Sequence, residues 1–138
     1  VVIPRNNPPP VFIARGDQIE CITTDTPSIG TSRNIRPEIT EFPLESNIPV
    51  VIYSDGIKFA GERSGQPFDI CTLLQAMLEE QEPTSQEIAD TILGQAMRLD
   101  NNRPNDDMSV VVLRSIPVEG DQIRRMSVRF PVESIFER

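Results

Sequence analysis

Two apolar runs, Pro49-Val50-Val51-Ile52 and Ser109-Val110-Val111-Val112-Leu113, constrain this chain most, because each is joined to an acidic turn. The first runs into Tyr53-Ser54-Asp55-Gly56, and the second follows Asn105-Asp106-Asp107-Met108. Runs this rich in β-branched residues are buried strands, and a buried strand delivers the side chains at its ends to fixed positions. Carboxylates held there, with nothing cationic immediately beside them, require solvent, a proton or a counter-ion. The chain contains no histidine. That excludes histidine-based triads and histidine-liganded zinc, and leaves carboxylate oxygens with the hard cations they prefer.

The segments around these strands define an α+β chain. Val1 to Ile3, Val11 to Ala14, Ile19 to Thr23 and Ile39 to Phe42 are short β-prone runs separated by turn residues, the pattern of antiparallel strands. Pro49 to Tyr53 alternates little, which implies cover on both faces, and Asp55-Gly56 closes it in a tight turn. From Pro67 the period changes: Ile70, Leu73, Leu74, Met77 and Leu78 recur at helical spacing. Pro83 ends that helix, and Thr84-Ser85-Gln86-Glu87 has the form of a capping box opening a second one, with Ile88, Ile92, Leu93, Ala96 and Met97 as its stripe. Gly94 weakens it by about 1 kcal/mol relative to alanine. Met108 to Leu113 is the strongest strand and is expected to be central. Met126 to Val132 is expected to form a final edge strand, guarded by Arg124, Arg125 and Arg129.

At 138 residues the chain fits a single domain, 1–138, able to bury roughly 65–70% of its unfolded surface without disulfides. A net charge of −8, with Lys58 and twelve arginines as the only cations, excludes the basic face that nucleic acid requires. No run approaches the eighteen or so apolar residues of a membrane span, and no leader or glycosylation motif is found. These features describe a cytoplasmic chain with no membrane partner. Cys21 and Cys71 lack metal-ligand or redox spacing and are expected to be reduced core thiols. The chain starts at Val1 in what reads as strand, as though entered in mid-sheet, and is expected to be part of something longer.

Taken singly, the polar motifs have structural explanations. Ser54-Asp55-Gly56 is a common turn after a strand. Asp106-Asp107 must be neutralised, protonated or held in solvent, and a solvated loop satisfies that as well as a cation does. Asp100 to Asn105 has no glycine at the sixth place of a calcium loop, and Val111 stands where its glutamate belongs, so it is not an EF-hand. Arg124-Arg125-Met126-Ser127 has the look of a kinase target, but it overlaps the expected edge strand.

The combination is more specific: strand, Ser54-Asp55-Gly56, the excursion Ala60-Gly61-Glu62-Arg63-Ser64-Gly65, two helices, then Arg103-Pro104-Asn105-Asp106-Asp107-Met108 and a valine-rich strand. It resembles the C-terminal half of the metal-dependent protein phosphatase (PPM) family, in the bacterial branch typified by sporulation stage II protein E. The resemblance also takes in Arg5-Asn6-Asn7-Pro8 and Ser28-Ile29-Gly30. It implies antiparallel β-sheets flanked by two helices, part of an αββα sandwich whose acidic end holds two Mn2+ or Mg2+ ions. Asp55 and Asp106 are implied as ligands of one metal, with Gly56 and Asp107 supporting them without binding it. Gly56 is expected to be required because a side chain there would crowd the turn and the metal's water ligands.

Two carboxylates a few ångströms apart repel by about 4 kcal/mol at an effective dielectric of 20, a preference that a divalent ion reverses. Two such ions about 3.5–4 Å apart can activate a water for attack on a phosphoserine without a covalent enzyme intermediate. The resemblance therefore implies a protein serine/threonine phosphatase acting on a phosphorylated bacterial regulatory protein, such as an anti-sigma-factor antagonist. Relatives carry a further Asp-Gly turn whose aspartate bridges both metals. Asp55-Gly56 is the only Asp-Gly in this sequence, so the 138 residues are expected to be inactive alone and to associate with themselves or with the missing half. A non-catalytic interaction module of the same fold is the alternative.

Overall fold

The computed structural model of the chain describes residues 1–117 apart from 7, 8, 17, 24, 25, 44 and 81. The expected strand Met126–Val132 and the Arg124–Ser127 motif lie outside the described residues. Six strands and three helices follow in the order β1 (Val2–Arg5), β2 (Val11–Arg15), β3 (Gln18–Ile22), β4 (Glu38–Glu41), β5 (Pro49–Tyr53), α1 (Asp55–Lys58), α2 (Ile70–Glu80), α3 (Ser85–Leu99) and β6 (Val110–Arg114). A 3-10 turn at Glu62–Ser64 lies between α1 and α2.

Four of the strands form an antiparallel sheet in the order β3-β2-β5-β6, and β1 pairs with β4 in a separate antiparallel ribbon. Strand side chains alternate between faces, and here both faces are apolar. Phe12, Val51 and Tyr53 point to one side, where they meet Ile70 and Leu74 of α2 and Ile88, Ile92 and Ala96 of α3. Val11, Ile13, Ile22 and Val50 point to the other, against Ile3, Phe42 and Ile48. The result is a helix layer, a four-stranded sheet and a small β-ribbon, in agreement with the α+β expectation of antiparallel sheets flanked by helices.

Three details differ from what the sequence suggests. The valine-rich strand β6 is not central: among the described residues it is the outermost strand, with β5 as its neighbour. Its apolar residues serve two faces, Val110 and Val112 packing toward the helices while Val111 and Leu113 are 51% and 46% exposed. A run that is apolar on both sides reports two covered or coverable faces, not the number of strand neighbours. Second, Cys21 is exposed, because β3 is the opposite outer strand, while Cys71 is half-buried against the helix-side core; both are free thiols. Third, Asp55-Gly56 opens the short helix α1 rather than a tight turn. Ser54 enters it in an extended conformation, and the Phe59 amide closes the turn by donating to the Asp55 carbonyl at 2.9 Å.

The helices follow the predicted faces. In α3 the fully buried residues Ile88, Ile92 and Ala96 recur at every fourth position, the row that lies along one side of an α-helix. Its start is a complete capping box: the Glu87 amide donates to the Thr84 hydroxyl at 3.2 Å, and the Thr84 amide donates to the Glu87 carboxylate at 2.7 Å. Among the described residues no helix is long and apolar enough to cross a membrane.

Two measurements check these readings of α3. A Cβ added at Gly94 would meet nothing within 4 Å, so Gly94→Ala is expected to raise stability by about 0.5–1 kcal/mol in denaturant unfolding. The second concerns pH. The backbone amide and then the hydroxyl of Thr84 hold the Glu87 carboxyl below its ordinary 4.5. A carboxyl depressed in the folded state contributes stability above its unfolded value and loses it as pH falls through the folded one. The melting-temperature gap between the wild-type chain and Glu87→Gln should therefore be widest near neutrality and close on acidification below 4.5.

Candidate metal centre

The site is built where β5 ends and β6 begins. Because these strands are antiparallel neighbours, with Tyr53 opposite Val110, the turn after one and the turn before the other emerge at the same end of the sheet. Ser54 joins them. Its amide donates to the Ser109 carbonyl at 2.9 Å, its hydroxyl donates to the Asp107 carbonyl at 2.8 Å, and that hydroxyl accepts from the Ser109 amide at 2.9 Å. Tyr53 anchors the strand end beneath, its ring stacked on Phe12 with centroids 5.8 Å apart. Burial pushes the Tyr53 phenol well above its ordinary value, so it stays neutral.

Gly56 lets the two turns approach. A Cβ there would lie 2.5 Å from the Asp107 carbonyl oxygen and 3.2 Å from that of Asp106, well inside van der Waals contact. A side chain at this position would therefore collide with the neighbouring turn's backbone. Conformational freedom plays no part, since Gly56 is absent from the positive-φ residues.

Asp55 and Asp106 line one cleft of about 240 Å3, together with Gly56, Phe59, Glu62, Arg63, Asp100 and Asn105. Each aspartate accepts a hydrogen bond from the amide that follows it: Gly56 to Asp55 at 3.1 Å and Asp107 to Asp106 at 2.8 Å, both through Oδ1. The Oδ2 of each has no hydrogen-bond partner among the described residues. Asp107 contributes through its backbone, and its side chain does not line the cleft.

Sequence reading missed the rest of the wall. Asp100 caps the end of α3, and its Oδ1 accepts from the Gly61 amide at 2.9 Å, tying the excursion after α1 to the helix. Arg63 donates through Nη1 to the Asn105 side-chain oxygen, closing the excursion onto the second acidic turn. A usable sequence signal was the glycine pair around Glu62-Arg63-Ser64: Gly61 and Gly65 have φ of 77° and 73°, a region few other residues enter. Those two glycines mark a shaped loop rather than a slack one.

The donor set suits a hard divalent cation, since two carboxylates with unengaged oxygens converge on one cleft floored by a side-chain-free residue. Among the described residues no group of three or more acidic, cysteine or histidine side chains gathers into a metal cage. Glu62 and Asp100 stand in the same cleft as Asp55 and Asp106.

Comparison with known proteins accounts for this arrangement. The family model of Stage II sporulation protein E (SpoIIE) matches residues 3–115, most of the chain. The chain belongs to the SpoIIE family. The stage II sporulation protein E of Bacillus subtilis (strain 168) is 30% identical over 129 residues, which are 93% of this chain and 15% of that protein. A solved structure of the PP2C phosphatase domain and a fragment of the regulatory domain of SpoIIE from Bacillus subtilis matches with a TM-score of 0.64 and 27% identity. That match covers 82% of this chain and 33% of the other. The Mn-presoaked phosphatase domain of the same protein shares the fold, with a TM-score of 0.63 and 22% identity over 85% of this chain and 51% of that one. The SpoIIE-family chain thus spans a small part of its full-length relative and about half of that solved phosphatase domain.

Because the Gly56 contact is with backbone, relief requires the turns to separate. Gly56→Ala is expected to cost about 1–3 kcal/mol in chemical denaturation, more than the same change at a solvent-facing glycine.

Proposed function

We propose that this chain forms part of a metal-dependent protein serine/threonine phosphatase, with Asp55 and Asp106 as ligands of one of two Mn2+ or Mg2+ ions. The observation that carries this reading is their placement on one cleft, 51 residues apart in sequence, with an unengaged oxygen each. Membership of the SpoIIE family and the shared fold with a PP2C phosphatase domain support it. The substrate is a phosphoserine or phosphothreonine on a bacterial regulatory protein, such as an anti-sigma-factor antagonist, in the cytoplasm.

When bound, the metal pair would polarise the phosphoryl oxygens and lower the pKa of a water. The chain's own contribution is positional. Ser54 and Gly56 hold the two turns so that Asp55 and Asp106 keep a fixed separation, and the amides of Gly56 and Asp107 orient their carboxylates. Preorganisation of this kind is what a metal ligand set needs from its surroundings. The second sheet face supports a matching proposal about assembly. Ile52, Val111 and Leu113 are exposed beside the apolar groove that Val2, Ile3 and Phe42 help to line, which suits cover by the remainder of a phosphatase domain or by a second copy.

A non-catalytic interaction module is the second reading, favoured because among the described residues no three of the cleft's acidic side chains gather closely enough to share one metal ion. One experiment separates the two. In the full-length protein, Asp55→Asn or Asp106→Asn is expected to lower Mn2+-dependent turnover of a phosphoserine peptide by at least about 100-fold and to abolish the rise in melting temperature on adding Mn2+. Unchanged turnover and unchanged Mn2+ response would remove the phosphatase reading.

A further inference from the structure

Of the eight residues lining the cleft, four carry carboxylates and one, Arg63, carries a positive charge. An arginine beside four acids would ordinarily pair with one of them. Here it does not: among the described residues the ion pairs are those of Arg15 with Glu20 and Glu45. Arg63 is instead held by a neutral group, its Nη1 donating to the Asn105 amide oxygen. That bond costs the guanidinium none of its charge and only one of its five N–H donors.

The surrounding chain fixes this arrangement from both sides. Arg63 sits in the middle of the Glu62–Ser64 turn, whose two flanking glycines are in the left-handed region. The turn is stitched to itself by the Gln66 amide donating to Gly61 at 2.9 Å and the Ser64 hydroxyl donating to Gly61 at 2.9 Å. It is stitched to α3 through Gly61 and Asp100. Asn105, the partner of Arg63, directly precedes Asp106 in sequence, so the contact also registers Arg63 against that carboxylate.

From this geometry we infer that Arg63 is a substrate-binding residue, its guanidinium receiving the phosphoryl oxygens of the phosphomonoester while Asn105 holds it in position. The inference rests on the phosphatase reading of the cleft. A planar guanidinium matches phosphate oxygens in a bidentate manner, and with Nη1 engaged on Asn105 its Nε and Nη2 edge remains for that pair. The carboxylates serve a cation and repel the phosphate, so the cleft's single positive side chain supplies what the dianion needs. Asn105 acts through Arg63 and is a positioning residue.

The test compares wild-type full-length protein with Arg63→Ala, Arg63→Lys, Asn105→Ala and Asp55→Asn. It reads KM and kcat on a phosphoserine peptide with Mn2+, competitive inhibition by inorganic phosphate, and Mn2+ affinity by calorimetry. Losing a charged hydrogen-bond pair is expected to raise KM and the phosphate inhibition constant about 10- to 100-fold in Arg63→Ala, with Mn2+ affinity preserved. Arg63→Lys should recover part of that loss, as a point charge without the fork, and Asn105→Ala should show a smaller rise of the same kind. If Arg63→Ala and Arg63→Lys stay within about twofold of wild type on both constants while Asp55→Asn abolishes turnover, the assignment of Arg63 is overturned and the phosphatase reading stands. If Asp55→Asn leaves turnover intact, the reading beneath it falls as well.

Discussion

The close passage of the Asp106-Asp107 backbone over Gly56 is the contact on which the rest of the site depends. Only a residue without a Cβ allows a carbonyl oxygen this near, and the Ser54 hydroxyl then satisfies the same carbonyl. One polar side chain and one missing side chain therefore convert two strand ends into a single wall. Without that passage Asp55 and Asp106 would be two separate turn aspartates, each adequately explained by solvent. With it, the two line a single cleft.

Around this contact the fold is arranged as a support. The helices pack on one sheet face through Ile88, Ile92 and Ala96, and a buried core of this kind resists relaxation when a neighbouring group moves. Tyr53, stacked on Phe12, makes the end of β5 part of that core, so the residue before Ser54 cannot drift. Asp100 and Arg63 extend the same logic outward, each tying the excursion after α1 to a different element. The loop that shapes the cleft is thereby held at two points as well as by its own turn.

The other sheet face has a different character. Val11, Ile13 and Val50 are covered by Ile3 of β1 together with Phe42 and Ile48, but Val111 and Leu113 remain exposed. The solved SpoIIE phosphatase domain is about twice as long as the matched region.

Local pattern alone determined the elements of this protein. The period change at Pro67, the Thr84–Glu87 box and the Ile88-Ile92-Ala96 row all depend on residues within a turn or two of each other, and helical geometry follows directly from such spacing. The pairing of Asp55 with Asp106 was legible as well, but only through the order of motifs along the whole chain, since neither turn is distinctive alone. Tertiary structure decided what depends on residues far apart in sequence. It set the outer place of β6, the exposure of Cys21, the cause of the glycine at 56, and the gathering of Glu62, Arg63, Asp100 and Asn105 around the two aspartates. Those outcomes turn on which backbone lies within a few ångströms of which, and that is fixed by packing between elements rather than by any spacing the chain carries within one of them.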